Sequence, residues 1–347
     1  PFVELVARPR TSGDQRPGHG HPITLRATMA EILFIKTSSL GDVVHHMPAV
    51  ADARRRLPDA RLSWVVEEAY APLARLHPGI DEVITVASRR WRSQLHRPET
   101  WSEIGRFRRA IRERHYDAVI DSQGLLRTAL IAKAARGVRH GYDAASIREP
   151  LASVFYDVRH RVEWRCHAIP RNRMLTGRAL GYEPQPQIDF GLDRASIAGK
   201  ARNAYALLIH GTARVGKEWP QSSWLEVARA LADRGLDIVL PWGAAAERRR
   251  SDEIVAALGC GEVPDRRPLD EVAALIAGAA MVVGVDTGLL HVAAALGVPL
   301  VGIFLGSEPG LTGPLGSGPI AIVGGKGTVP DAAEVLCALD RVTGGGR

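Results

Sequence analysis

Only three cysteines, Cys166, Cys260 and Cys337, stand in the 347 residues, and no CxxC pair or zinc-type Cys/His spacing joins them. A disulfide framework is therefore excluded, and a reducing compartment is expected. No apolar run approaches the roughly 20 residues of a membrane helix, so the chain reads as soluble or at most peripheral to a membrane. No Asp-x-Asp occurs anywhere, which leaves a paired-carboxylate metal site without obvious ligands. RNP, KH and helix-turn-helix signatures are missing too, so nucleic acid is not an expected partner.

What is present is an ordinary globular composition, 46% hydrophobic and 24% charged, at a length suited to two domains. Lys and Arg total 45 against 38 acidic residues, a net charge of +7. Such a surplus favours anionic partners such as phosphorylated sugars or an acidic membrane face, although a genome that writes Arg for Lys produces the same excess. Residues 1–28 are rich in Pro, Gly and Arg and lack the apolar core of a signal peptide. They read as a disordered extension or an upstream translation artefact. The folded part is expected to begin at Met29.

From Glu31 short apolar runs alternate with amphipathic stretches, which argues for parallel βαβ units. Strands are expected at Ile32–Lys36, Leu62–Val66, Glu82–Val86 and Asp117–Asp121, with helices at Val43–Arg56, Tyr70–Leu76 and Glu99–Arg114. The pattern restarts with strands at Ala204–Ile209, Asp237–Leu240, Met281–Val285 and Leu300–Phe304. Helices are expected from a capping box at Ser223 and Glu226 to Asp233, and at Glu247–Leu258, Leu269–Ala277 and Thr287–Leu296. Pro184 and Pro186 suggest a linker. The expected class is α/β, two Rossmann-like domains facing across a cleft, over 29–183 and 184–330. A last helix in 331–347 is expected to pack back across the interface. Fold alone does not settle function, since binding proteins and epimerases share this plan.

Four stretches carry candidate chemistry. Lys36-Thr-Ser-Ser-Leu-Gly-Asp42 follows the first strand and opens a helix, where open α/β sheets place ligands. Asp42 falls on the first helical turn, where the dipole favours its charged form. It is either a general base toward a hydroxyl or only a helix cap. Leu208–Pro220 holds a Gly-containing loop with Lys217, a phosphate ligand or a solvated surface lysine. Gly284-Val-Asp-Thr-Gly-Leu-Leu-His291 places the amides of Thr287, Gly288 and Leu289 at a helix N-terminus, an anion cradle. Asp286 there can accept from a sugar hydroxyl, and His291 lies one turn on from Thr287, facing the same ligand or the core. Arg89, Arg90 and Arg92 follow a strand and suit phosphate forks, whereas the arginines of 106–114 read as a solvated helix face.

Taken in order, Lys36–Val43, Trp64–Glu68, Arg89–Arg92, Asp117–Gly124, Arg148–Ser153, Leu240–Gly243 and Val285–His291 resemble the type I lipopolysaccharide core heptosyltransferases. The likeness runs from about residue 31 to 340. It implies a GT-B fold and inverting transfer of L-glycero-D-manno-heptose from ADP-heptose to the Kdo of Kdo-lipid A, with no cofactor and no metal. It implies Asp42 as base and Lys217 as stabiliser of the leaving diphosphate. Thr212, Lys217, Glu247, Asp286, Thr287, Gly288 and His291 become the donor site, with Glu247 at the nucleoside. Arg89, Arg90 and Arg92 become acceptor-side groups. The location implied is the cytoplasmic face of the inner membrane, as a peripheral protein.

Two departures bear on that transfer of roles. Ala213 stands where a second Thr is expected, and Arg267 where relatives carry an apolar residue on the adenine side. Three other readings remain open: a type II enzyme acting on heptose, a nucleotide-sugar epimerase that needs no acceptor, and a non-catalytic nucleotide-sugar sensor. The basic run at 89–92 argues against the epimerase, and a pure sensor has no need of Asp42.

Overall fold

The computed structural model describes residues 29–199, 202–212, 218–306 and 309–344. Lys217 and Ala213 lie outside the described residues. The first half holds β1 (Glu31–Ile35), β2 (Arg61–Glu67), β3 (Glu82–Val86), β4 (Tyr116–Asp121), β5 (Gly137–Tyr142) and β6 (Val158–His160). Its helices are α1 (Leu40–Arg56), α2 (Ala71–Ala74), α3 (Ser88–Ser93), α4 (Pro98–Glu113), α5 (Leu126–Ala134) and α6 (Ala168–Leu180), with a 3₁₀ helix over Pro150–Phe155. The second half holds β7 (Tyr205–Ile209), β8 (Asp237–Val239), β9 (Met281–Val285), β10 (Leu300–Phe304) and β11 (Ile320–Gly324). Its helices are α7 (Arg194–Ile197), α8 (Gln221–Ala232), α9 (Ala245–Leu258), α10 (Leu269–Gly278), α11 (Gly288–Ala295), α12 (Pro309–Thr312) and α13 (Ala332–Thr343).

Strands buried on both faces must be apolar throughout, and β7, β9 and β10 are buried at every position. The first sheet is parallel in the order β3-β2-β1-β4-β5-β6. The second runs β11-β10-β9-β7-β8, also parallel. A parallel bridge from Val239 to Glu262 extends it beyond β8, so the first sheet's order recurs. Ligand crevices in such sheets open where the strand order reverses, here past the ends of β1 and β4 and of β7 and β9. All the candidate loops near Asp42 and Asp286 start there.

The halves share one apolar core. Leu33, Met47 and Val50 of the first half belong to the same buried cluster as Leu207, Leu290 and Val292 of the second. Helix α1 packs on α11, and α2 on α10. Between the sheets the chain runs through 181–204, opened by Gly181 in a left-handed conformation (φ 78°) that ends α6. The buried Arg173 anchors this crossing. It donates to both oxygens of Asp52 on α1 (2.6 and 3.1 Å) and to the carbonyls of Gln185 and Gln187 (2.7 and 2.9 Å). Arg194 does the same on the other side, donating to the carbonyls of Ala277 and Ala279.

Two expectations need correction. The last helix does not cross the interface: α13 packs on α8, β10 and β11 of its own sheet. Its buried Ala332, Val335, Ala338, Leu339 and Val342 form one stripe that fills the open face of that sheet, in a cluster with Trp219 and Trp224. Ser223 is no cap either, because α8 already begins at Gln221 after Pro220.

Candidate functional site

Asp42 sits in the first turn of α1 and divides its two oxygens. Oδ2 accepts from the Ser39 amide at 2.8 Å and from its hydroxyl at 3.3 Å, so the carboxylate does cap the helix. Oδ1 faces the Lys36 ammonium at 3.6 Å, and the side chain remains 31% exposed to the cleft. Capping and an accessible carboxylate are therefore compatible in one residue. Lys36 is itself buried at the end of β1 and donates to the Ser122 carbonyl at 3.0 Å. Burial lowers its pKa, against the pull of Asp42 and Asp121.

The loop from β1 to α1 is braced by the loop after β4. Gln123 Oε1 accepts from the amides of Thr37 (3.1 Å) and Ser38 (3.2 Å). Asp121 holds Gln123 in turn, accepting from its amide at 2.9 Å and from the Tyr156 hydroxyl at 2.7 Å. Arg127 closes the brace by donating to Ser38 Oγ at 2.7 Å. Two adjoining cavities open around this frame and share Asp42, Gln123 and Arg148. One runs toward Tyr142, Trp164, Arg171 and, from the second half, Leu311 and Thr312. The other runs toward Arg89, Arg92, Arg127 and Leu130.

The arginine run is thereby split. Arg89 and Arg92 stand three residues apart on α3 and share the face that meets the cavity of Asp42. Arg90 is turned away, against the expectation, because one residue along a helix rotates a side chain by about a quarter turn. It is held by Glu68 (3.0 Å) and Glu103 (2.9 Å), which raise its pKa further.

On the second sheet the paired strands β7 and β9 bring Thr212 and Asp286 to the same edge. Glu247 lies over this edge. It caps α9 by accepting from the amides of Gly243 (2.7 Å) and Ala244 (3.1 Å), and its carboxylate leaves no room for a Cβ on Gly211. Asp286 donates its amide to the Ile303 carbonyl at 3.0 Å, and Gly288 starts α11. The amides of Gly288 and Leu289 open α11, where a helix leaves its first donors without intrahelical acceptors, while the Leu290 amide donates to the Thr287 carbonyl at 3.1 Å. Arg267, just before α10, pairs at 3.6 Å with Glu271 in the first turn of that helix.

The N-termini of α1 and α11 meet here. A Cβ on Gly288 would lie 2.6 Å from Leu40 Cβ, and one on Gly41 would lie 2.9 Å from the His291 ring. His291 is buried and hydrogen-bonded to His45 across this seam, at 3.1 Å between its Nδ1 and Nε2 of His45. It thus joins the halves rather than lining the open cleft. Burial holds the His291 pKa down to about 4, and burial with the neighbouring His291 and His167 holds His45 well below its ordinary value. Both rings are therefore neutral at neutral pH. Lys36, Arg127, Arg148 and Arg171 were not singled out in the sequence. Lys36 and Arg148 lay in the quoted motifs and Arg171 in an arginine-bearing helix, while Arg127, the one arginine of α5, carried no signal.

Residues 104–336 match glycosyltransferase family 9 (heptosyltransferase). The chain belongs to this family. It is 44% identical over 288 residues to lipopolysaccharide heptosyltransferase 1 of Pseudomonas aeruginosa, covering 82% of this chain and 81% of the relative. Among solved structures, the E. coli heptosyltransferase WaaC with ADP is 38% identical, with a TM-score of 0.85 over 90% of this chain and 99% of that one. The same enzyme with ADP-2-deoxy-2-fluoro heptose gives 36% and 0.83 at the same coverage. The family 9 fold is the two-sheet arrangement described above. Among the described residues no group of three His, Cys, Asp or Glu side chains is placed to hold a metal ion, and no helix is long and apolar enough to cross a membrane.

Proposed function

We propose that the protein is a type I heptosyltransferase of the lipopolysaccharide core, moving heptose from ADP-heptose to the Kdo of Kdo-lipid A. The observation that carries this reading is the seam at Leu40 and Gly288. It brings the first turn of α1, which carries Asp42, against the N-terminus of α11, an end of a helix that suits an anion. A base and a diphosphate cradle side by side, on different domains, are what direct transfer between two bound sugars requires. A sensor needs no such base.

In the reaction, Asp42 takes the proton of a Kdo hydroxyl as its oxygen attacks the anomeric carbon of the heptose from the face opposite ADP. The bond from that carbon to the diphosphate breaks, and the configuration inverts. The negative charge that grows on ADP is met by the α11 amides at Gly288 and by Lys217, which acts in the transition state most of all. Thr212, Asp286 and Thr287 hold donor hydroxyls and phosphate, and Glu247 takes the nucleoside. His291 acts through the seam. Arg89 and Arg92, with Arg127 and Arg148, meet anionic groups of the acceptor. Since the acceptor is a membrane lipid, the enzyme works on the cytoplasmic face of the inner membrane as a peripheral protein. The test is incubation of the purified protein with ADP-heptose and Kdo-lipid A. A product heavier by one heptose, with release of ADP, supports the reading. Turnover of ADP-heptose without acceptor, or none with it, contradicts it.

A further inference from the structure

Helix α5 has an unusual outer face. Leu126 and Leu130 lie one turn apart on it and are 39% and 50% exposed, where a surface helix ordinarily presents polar groups. The 3₁₀ helix over Pro150–Phe155 packs against α5 and adds Leu151 and Val154, 72% and 61% exposed. A 3₁₀ helix has three residues per turn, so these two project on the same side. The two elements are tied at both ends. The Leu126 amide donates to Glu149 Oε2 at 2.7 Å, and Lys133 Nζ lies 5.3 Å from the centre of the Phe155 ring. Four exposed aliphatic side chains thus form one ridge. Contiguous apolar surface of this kind marks an interaction site.

The surroundings of the ridge identify its occupant. Its upper end is the wall of the cleft: Leu126 and Leu130 line the same cavity as Asp42, with Arg89, Arg92, Arg127 and Arg148. Lys133 lies at its lower end. Glu149, the acidic group between them, is occupied by the Leu126 amide. Aliphatic side chains fringed by cations fit an anionic phospholipid surface, which takes the apolar groups below its headgroups and the cations at its phosphates. Helices α4 and α5 contact each other, whereas the main helix contacts to the second half among the described residues are made by α1 and α2. The ridge is therefore not covered by the second domain.

We infer that the α5 and 150–155 ridge is the membrane-docking face, seating on an anionic bilayer so that a lipid-borne acceptor enters the cleft of Asp42 from the membrane side. The inference rests on the reading of the acceptor as a membrane lipid. Leu151 and Val154 lie outside the cleft lining, so they separate docking from chemistry.

The full chain is floated with vesicles of phosphatidylethanolamine and phosphatidylglycerol, and in parallel with vesicles of phosphatidylcholine. Binding is expected only to the anionic vesicles and is expected to fall with salt. L151S/V154S is expected to lower it by about tenfold or more, while L151I/V154I retains it. Both variants are expected to keep the wild-type rate on a water-soluble, deacylated Kdo acceptor. Unchanged vesicle binding by L151S/V154S overturns the inference. So does a wild-type protein that ignores anionic vesicles, or a wild-type dimer in sedimentation that L151S/V154S converts to monomer. Heptose transfer to the soluble acceptor by a protein that does not bind vesicles removes the docking face alone. Absence of any transfer removes the functional reading itself.

Discussion

Replacing Gly288 by Ala tests the seam on which the proposed chemistry depends. The added Cβ would lie 2.6 Å from Leu40 Cβ and 2.8 Å from its Cγ and Cδ2. Carbon atoms settle at about 3.5–4.0 Å, so α1 and α11 must part by about 1 Å. Leu40 cannot swing clear, because its Cβ is fixed to the α1 backbone. Overpacking of this size costs about 1–3 kcal/mol and is expected to lower the melting temperature by a few degrees. The larger effect falls on turnover, since moving reacting groups by about 1 Å costs about 10²-fold. Gly41→Ala is expected to do less, because its 2.9 Å contact is with the His291 ring, which can tilt. Gly199→Ala, with nothing within 4 Å, is the control. Thermal melts and initial rates with ADP-heptose and a soluble Kdo acceptor rank the three. Wild-type rate and melting in Gly288→Ala would refute the argument.

The split arginine run predicts that R89A/R92A raises the acceptor KM about tenfold or more and leaves donor binding alone. R90A, which frees Glu68 and Glu103, leaves that KM unchanged, and steady-state kinetics distinguishes the two. Lys217→Ala is expected to slow the reaction and loosen the donor together, with the rate falling further than the affinity; unchanged kinetics returns it to the solvated surface. Burial holds His210 at about 4, against about 6.5 in an unfolded chain. The unfolded chain takes up that proton first, so stability is intact above about pH 6.5 and falls toward pH 4, by up to roughly 3 kcal/mol. Denaturant unfolding of His210→Gln is expected to show a shallower loss across that window than the wild type.

Much of the frame was legible because parallel strands buried on both faces announce themselves. Glu82–Val86, Met281–Val285 and Leu300–Phe304 are observed at the bounds read from the sequence. The stretch from 122 to 180 was not legible. There β5 (GVRHGY) is a polar strand between β4 and β6, β6 (VRH) is a three-residue edge strand, and α6 opens with a proline and several arginines. Only their partners make them regular. Asp42 could be found because it sits at a strand end before a helix, but its buried companion Lys36 looked like any lysine until the fold closed over it. Arg90 was misread because a run of like charges says nothing of direction until the helix that carries it is known. His291 likewise needed both halves, since its partner His45 is 246 residues away.

Asp42→Asn removes the proposed base while sparing the turn that holds it. The amide keeps the size and an oxygen able to accept from Ser39, so the first turn of α1 should survive. The base is lost, and general-base catalysis contributes about 10²–10⁴-fold. Two quantities are measured on the same preparation: calorimetric binding of a non-reactive ADP-heptose analogue, and the initial rate with Kdo-lipid A. Near-normal donor binding is expected, with a rate lower by at least about 10²-fold. A near-normal rate would contradict Asp42 as the base, and lost donor binding would place the donor site on the wrong side of the seam.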